Sequence, residues 1–295
     1  MQMGIWDSLV NLVLLVFWLR LWTRSDDRNL VFNRYLAPFD RAASLVTDFL
    51  RPVCLGAPPQ VAAAAVLVFV IVLRGLAVPD RASWLLTLGF DRVADTGHVG
   101  TRIAFSALSF GVFLFKLWSL AVLYAGSRAR AFREQPVTAL AHLSRPLSLL
   151  HVEWRPLALF GFGILVAALL DVGGHAIPRS TLAVLPVGLH WQADAPVVTA
   201  LKLALLALAA WVQVLPVIQS ILFLLILGSW ISMFTGSDGL IVLCHDWITL
   251  LLGPLRRFPL RLGLFDLTPI VFAFALGYIS NGLMQLLYSA LRTLS

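Results

Sequence analysis

The sequence predicts an all-α fold: a polytopic transmembrane protein of about six helical spans in tandem hairpin repeats, with amphipathic helices lying in the membrane interface. Three observations predict it. The 295 residues are 60% hydrophobic and 13% charged, with a mean hydropathy of +0.89. Soluble domains carry roughly 25% charged residues and cannot expose so much apolar surface to water. Several apolar runs reach the ~20 residues that a helix needs to cross a hydrocarbon core of about 30 Å. Finally, the charge gathers in short stretches beside those runs, as in Arg256, Arg257 and Arg261 just before the run that starts at Thr268.

Spans are expected at 5–22, 60–78, 103–125, 157–174, 216–234 and 268–290, each rich in Leu, Val, Phe and Ala. A helix is the one single-segment element that satisfies its own backbone in lipid. The stretch 197–234 is nearly unbroken and apolar over about 57 Å of helix, more than one bilayer core. It reads either as two spans or as one span preceded by a surface or projecting helix, with Pro216 at the joint. Arginine placement favours the single span. With six spans, fourteen arginines fall on one side and six on the other; a seventh span would move the last cluster across and narrow that split. The positive-inside rule therefore places the arginine-rich loops in the cytoplasm and both termini outside it. No Lys or Arg precedes the first run, and Arg20 lies at its far end, opposite to a cleavable signal peptide.

The three arginine-rich loops share one pattern: an amphipathic stretch, a proline-centred break, then the next span. In the first, Phe32, Tyr35, Leu36, Phe39, Ala43, Val46, Phe49 and Leu50 recur at helix spacing, with Asn33, Arg34, Asp40, Arg41, Ser44, Thr47, Asp48 and Arg51 on the opposite face. Leu50-Arg51-Pro52-Val53 follows. In the second, Val137, Leu140, Leu143, Leu147 and Leu150 alternate with polar residues, which puts Arg145-Pro146-Leu147 inside a helix. In the third, Leu240–Leu252 ends at Gly253-Pro254-Leu255-Arg256-Arg257. Helices of this kind lie in the interface, arginine heads among phosphates and stems over apolar surface. Thr268 then reads as the N-cap of the last span, with Pro269 at its first helical position and Asp266 beside the positive helix end.

These motifs resemble the YggT family of small bacterial membrane proteins, whose pattern is span, amphipathic loop, Pro-Leu-Arg motif, then Asp-x-Ser/Thr-Pro leading into a span. The last repeat matches through Trp230, Gly253-Pro254-Leu255-Arg256-Arg257 and Asp266-Leu267-Thr268-Pro269-Ile270. The first matches loosely, through Leu19-Arg20-Leu21-Trp22 and Phe49-Leu50-Arg51-Pro52, with Gly56-Ala57-Pro58-Pro59 in place of the Asp-x-Ser/Thr-Pro. The chain accordingly divides into a first repeat (1–78), an inserted or diverged middle hairpin unit (79–197) and a last repeat (198–295). The resemblance implies an assembly or scaffolding role; the alternative is a small ion or osmolyte channel or transporter linked to osmotic stress, using Lys116 and Asp171.

Ionisable groups inside spans are candidates for function because burying them in lipid is costly. Lys116 lies in the third span and Asp171 toward the outer end of the fourth, where they could pair or line a polar path; Arg74 could join them or reach water. Lys202, in the outer part of 197–234, is expected to need no partner. His245-Asp246 has no accompanying nucleophile and reads as two membrane-surface residues. Cys54 and Cys244 form neither a disulfide framework nor a metal-type spacing, and no Cys-x-x-Cys-His is present, so no cofactor and no metal is expected. Phosphate-binding and hydrolase motifs are absent from the sequence, and no enzymatic activity is expected. Segment 79–102, with Trp84, Leu85, Leu86 and Phe90, reads as an interfacial or docking piece. The expected partners are anionic lipid headgroups, other membrane proteins and, as an alternative, further copies of the chain. The net charge of +7 sits beside spans rather than in a nucleic-acid patch. A bacterial inner membrane is the expected location.

Overall fold

The structure, a computed structural model, describes residues 4–23, 32–50, 58–78, 84–88, 90–94, 98–125, 135–172, 195–236, 238–253, 260–262 and 265–294. Its helices are α1 (Gly4–Trp22), α2 (Ala37–Leu50), α3 (Pro59–Ala77), α4 (Val99–Ala125) and α5 (Gln135–Leu143). They continue with α6 (Arg155–Val172), α7 (Pro196–Val212), α8 (Val214–Thr235), α9 (Asp238–Leu252) and α10 (Thr268–Thr293). Among the described residues five helical stretches are long and apolar enough to cross a membrane: Pro59–Ala77, Val99–Tyr124, Val152–Leu170, Pro196–Thr235 and Thr268–Thr293. The chain is thus a helical, multi-pass membrane protein. α1, at 19 residues, has comparable length and carries Asp7 and Arg20 near its two ends.

Two short antiparallel pairs interrupt the helical pattern: β1 (Trp84–Leu88) with β2 (Phe90–Ala94), and β3 (Arg261–Leu262) with β4 (Phe265–Asp266). The first lies within 79–102, the segment read as an interfacial or docking piece, and is a hairpin. Trp84, Leu86 and Leu88 alternate along β1 and are all buried, which is the period of a strand with one covered face.

One core joins α1, α3, α4, α6 and α7 through Leu14, Leu67, Phe115, Leu159 and Leu206, and β1 adds Trp84 to it. Aromatic rings tie three of these helices together: Trp18 lies 5.9 Å from Phe110 and 6.2 Å from Trp118, which lies 5.1 Å from Phe162. A second core packs Leu120 of α4 against Ile218 and Leu222 of α8, Leu251 of α9 and Ala273 and Leu276 of α10. Lipid gives helices little hydrophobic reason to associate, so close van der Waals packing has to do it. α3 and α4 meet closely enough that a Cβ on Gly75 would lie 2.7 Å from Ile103 Cα.

The stretch 197–234 is a long helix with a joint, α7 and α8 meeting at Gln213. The sequence put the joint at Pro216. Proline cannot donate to the carbonyl four residues earlier and its ring crowds that position, so the break falls at Val212–Gln213 instead. α8 ends at Gly236, whose φ of 66° is the left-handed conformation that closes a helix without a Cβ penalty.

Three expectations about the loops need correction. Arg145 and Pro146 do not lie within a helix: α5 ends at Leu143, and the pair follows in a turn with a cis peptide bond. A proline at 146 has no N–H for the carbonyl of His142, so the helix stops before it. From the turn into α2 onward, the protein-facing residues are Leu36, Ala43 and Thr47, and they include a residue assigned to the polar face. Thr47 tolerates burial because its hydroxyl donates to the Ala43 carbonyl at 3.0 Å. The large apolar residues Leu45 and Phe49 instead face outward, at 74% and 80% exposure. Last, Thr268 is the first residue of α10 rather than its cap. Asp266 Oδ1 accepts the Thr268 N–H at 3.0 Å, and Thr268 Oγ1 accepts the Leu260 N–H at 2.8 Å.

Candidate functional site

At the end of the bundle where α1 finishes, segments from all three arginine-bearing loops meet. Asn33 begins the junction. Its carbonyl accepts the N–H groups of Leu36 (3.1 Å) and Ala37 (2.9 Å), opening the turn into α2, and its Oδ1 accepts the Tyr35 N–H at 2.9 Å. Asparagine suits such a turn because its short side chain can bond the backbone two residues on. The remaining Nδ2 donates to the Gln135 carbonyl at 2.8 Å, which fixes the first loop to the start of α5. Asn33 is 4% exposed, so this amide is a buried and satisfied cross-link.

The third loop enters through α9. Arg34 pairs with Asp246, Tyr35 donates its hydroxyl to Asp246 Oδ2 at 2.9 Å, and Arg34 Nη2 lies 2.8 Å from the same hydroxyl. The Arg34 guanidinium also sits 5.0 Å from the centre of the Tyr35 ring, whose edge meets Trp247 with centroids 5.5 Å apart. Burial, then the hydrogen bond to Asp246, push the Tyr35 phenol above its ordinary value, while Arg34 pulls it back down. A cavity of about 300 Å³ opens here, lined by Arg34, Gln135, Pro136, Asp246 and Thr249.

α1 is fastened to the second loop on the same end. Trp18 Nε1 donates to the Arg145 carbonyl at 3.0 Å, and Arg145 Nη1 donates to the Trp22 carbonyl at 2.8 Å, near the open end of α1. Arg20 pairs with Asp40 of α2 at 3.0 Å, with side chains 8% and 22% exposed. Arg155 donates to the Leu150 and Ser148 carbonyls at 3.0 and 2.8 Å, which holds the turn that leads into α6.

A second polar cluster lies between α1, α3 and α4. Arg74 pairs with Asp7, and it donates to Asn11 Oδ1 at 2.9 Å and Ser109 Oγ at 2.8 Å. Ser109 and Trp84 Nε1 donate to Asp7 at 2.8 and 3.0 Å, and the Arg74 guanidinium stands 4.9 Å from the Trp84 ring centre. Arg74 therefore does not reach water; its partners are Asp7, Asn11 and Ser109. It is 7% exposed and neutralised across the bundle.

Of the residues named from sequence, Arg145 and Pro146 belong to the junction, and Asp266, Thr268 and Pro269 form the entry to α10. Arg51, Pro52, Pro254, Arg256 and Arg257 lie outside the described residues. Lys116 is half-buried on α4. Asp171 lies in the last turn of α6, and its side chain is outside the described part. Lys202 differs from expectation: it is 1% exposed, inside the bundle, and it is not unpartnered. Sequence reasoning placed Asn33 and Tyr35 on opposite faces of one amphipathic stretch and read Asp246 as a membrane-surface residue, without joining the three. It also missed the partners of Arg74, although Asp7 and Asn11, four residues apart on one face of an apolar helix, are the signal that could have found them.

No group of His, Cys, Asp and Glu among the described residues could hold a metal ion. No protein-family model, curated protein or solved structure matches the chain. What the junction offers chemically is a half-open, charged surface built from three separate loops, with a cavity beside one ion pair.

Proposed function

We propose that this chain is a non-enzymatic membrane protein that organises or assembles other membrane components, using the three-loop junction as its docking surface. The observation that carries the reading is the fastening of the first loop to both others, through Asn33 to Gln135 and Arg34 to Asp246. A protein that only crosses the bilayer needs no such cross-linking of its loops. Linked loops give a preorganised surface, which lowers the ordering cost of binding a partner. The resemblance of the motifs to the YggT family supports the same reading.

Counting α1 as the first span and α7–α8 as one long span gives six. The arginine-rich end then faces the cytoplasm of a bacterial cell by the positive-inside rule, both termini lie outside, and α2 rests its outward Leu45 and Phe49 in the interface. Arg51, Arg256 and Arg257 add positive charge for anionic headgroups beside the same loops.

A second reading, a small ion or osmolyte channel, is favoured by the burial of Lys202 and the half-burial of Lys116 within membrane-crossing helices. Purification of the tagged protein from its native membrane in mild detergent separates the two. A distinct partner in stoichiometric amount supports assembly. Recovery alone, together with solute flux that collapses in a Lys116→Leu variant, overturns assembly in favour of transport.

A further inference from the structure

The last span carries polar residues on a face that none of the described residues covers. α10 runs 26 residues, from Thr268 to Thr293. A bilayer core takes roughly 20 residues of helix, and every window of that length within α10 includes positions 274–287. Asn281 and Gln285 therefore lie in hydrocarbon wherever the helix is set in the membrane. Both are exposed, and among the described residues neither has a hydrogen-bond partner. An unpaired amide facing lipid is strongly disfavoured, because the bilayer core has no water to satisfy it.

These amides belong to a seam. Phe274, Tyr278, Asn281 and Gln285 recur at four, three and four residues, the spacing of a helix stripe that faces another helix. Phe274 and Tyr278 are 54% and 79% exposed. Gly282 adjoins Asn281, and a Cβ placed there would meet nothing within 4 Å, so a second backbone could approach closely at the level of the amides.

We infer that this seam is a self-association surface, whose occupant is α10 of a second copy of the chain. The chemistry selects a copy. Each carboxamide holds both a donor and an acceptor, so amides related by a two-fold axis satisfy one another. All copies insert with the same orientation, so two α10 helices meet in parallel, with Asn281 opposite Asn281 across the axis. The inference rests on α10 as a membrane span and is independent of the assembly reading above.

The test uses the full chain, with Cys54→Ser and Cys244→Ala, in its native membrane. One variant carries Tyr278→Cys on the seam, and a control carries Leu224→Cys on α8, which is 68% exposed but off the seam. Oxidation should link the Tyr278→Cys variant to itself as a dimer and leave the control monomeric. Adding Asn281→Leu and Gln285→Leu should lower the dimer roughly ten-fold while leaving the thermal midpoint unchanged or higher. Equal linkage at both positions, no linkage at Tyr278→Cys, indifference to the two leucines, or a mixed product with another protein would each overturn self-association. None of these outcomes bears on whether the three-loop junction binds a partner.

Discussion

Arg34 and Asp246 stand 212 positions apart in the sequence and form an ion pair that joins the first arginine-bearing loop to the third. The pair is 45% and 32% exposed, so water screens it, and pairs of this kind contribute roughly 0–1 kcal/mol. The junction is held more firmly by neutral groups. Asn33, buried and bonded to the Gln135 carbonyl, and Tyr35, packed on Trp247, lose more if they are removed.

This ranking gives the first prediction. Arg34→Ala should destabilise the protein by less than about 1 kcal/mol, whereas Asn33→Leu, which strands the backbone groups it satisfies, should cost about 1–3 kcal/mol. Thermal unfolding of the two variants in the same detergent checks the order. If Arg34→Ala proves the more damaging, the junction is electrostatic and the ranking fails.

The Asp7–Arg74 pair should behave in the opposite way. Its side chains are 15% and 5% exposed, and removing one partner leaves a buried charge without the counter-charge that it pairs with. Breaking a buried pair costs about 3–5 kcal/mol, while replacing both members with apolar residues is often near neutral. Asp7→Leu and Arg74→Leu should each reduce folded protein recovered from membranes sharply, and the double variant should recover a large share of it. Additive losses in the double variant would show that the two charges act separately.

Tyr35 supplies a pH dependence. Its phenol titrates above the ordinary value of about 10, first because of burial and then because it donates to Asp246. The unfolded chain releases this proton at lower pH than the folded one. The stability it contributes is therefore fully present below the ordinary phenol value and is lost as pH rises through the higher, folded value. Replacing Asp246 with Asn removes the carboxylate and leaves burial, so the titration should move down without falling below the ordinary range. Titration of the Tyr35 ring carbon by NMR reads both, and a native Tyr35 that titrates like free tyrosine would contradict the geometry.

The parts of the fold that hydropathy dictates were legible because they are local. Apolar runs gave the helices, and Asp266, Thr268 and Pro269 marked the start of α10 to within a residue. The β1–β2 hairpin was not legible, because Trp84-Leu85-Leu86-Thr87-Leu88 is a short apolar run that suits strand or interfacial helix equally. The inner face of α2 was misassigned because a threonine can satisfy itself on its own helix and needs no water. Of the junction, only Arg145 and Pro146 stood out. The bonds that build it span 102 positions from Asn33 to Gln135 and 212 from Arg34 to Asp246, and the periodicity of one segment says nothing of which distant segment it meets.

The approach of α3 to α4 at Gly75 offers a further test of the packing. A methyl group on Gly75 would fall 2.7 Å from Ile103 Cα and 2.9 Å from its backbone nitrogen, atoms that cannot rotate away. α3 and α4 would have to separate, which also pulls Arg74 from Ser109 on the facing helix. Gly75→Ala should therefore destabilise by about 1–3 kcal/mol, in the range of overpacked cores. Gly161, on α6, meets nothing within 4 Å, so Gly161→Ala meets no steric resistance. It should be neutral or stabilising by up to about 1 kcal/mol, because alanine loses less backbone entropy in a helix. Both substitutions add one methyl to a helical glycine, so helix propensity alone predicts the same sign for the two. Opposite signs in detergent unfolding would isolate the α3–α4 contact as the cause, and matching signs would mean that the two helices do not approach as closely as Gly75 and Ile103 require.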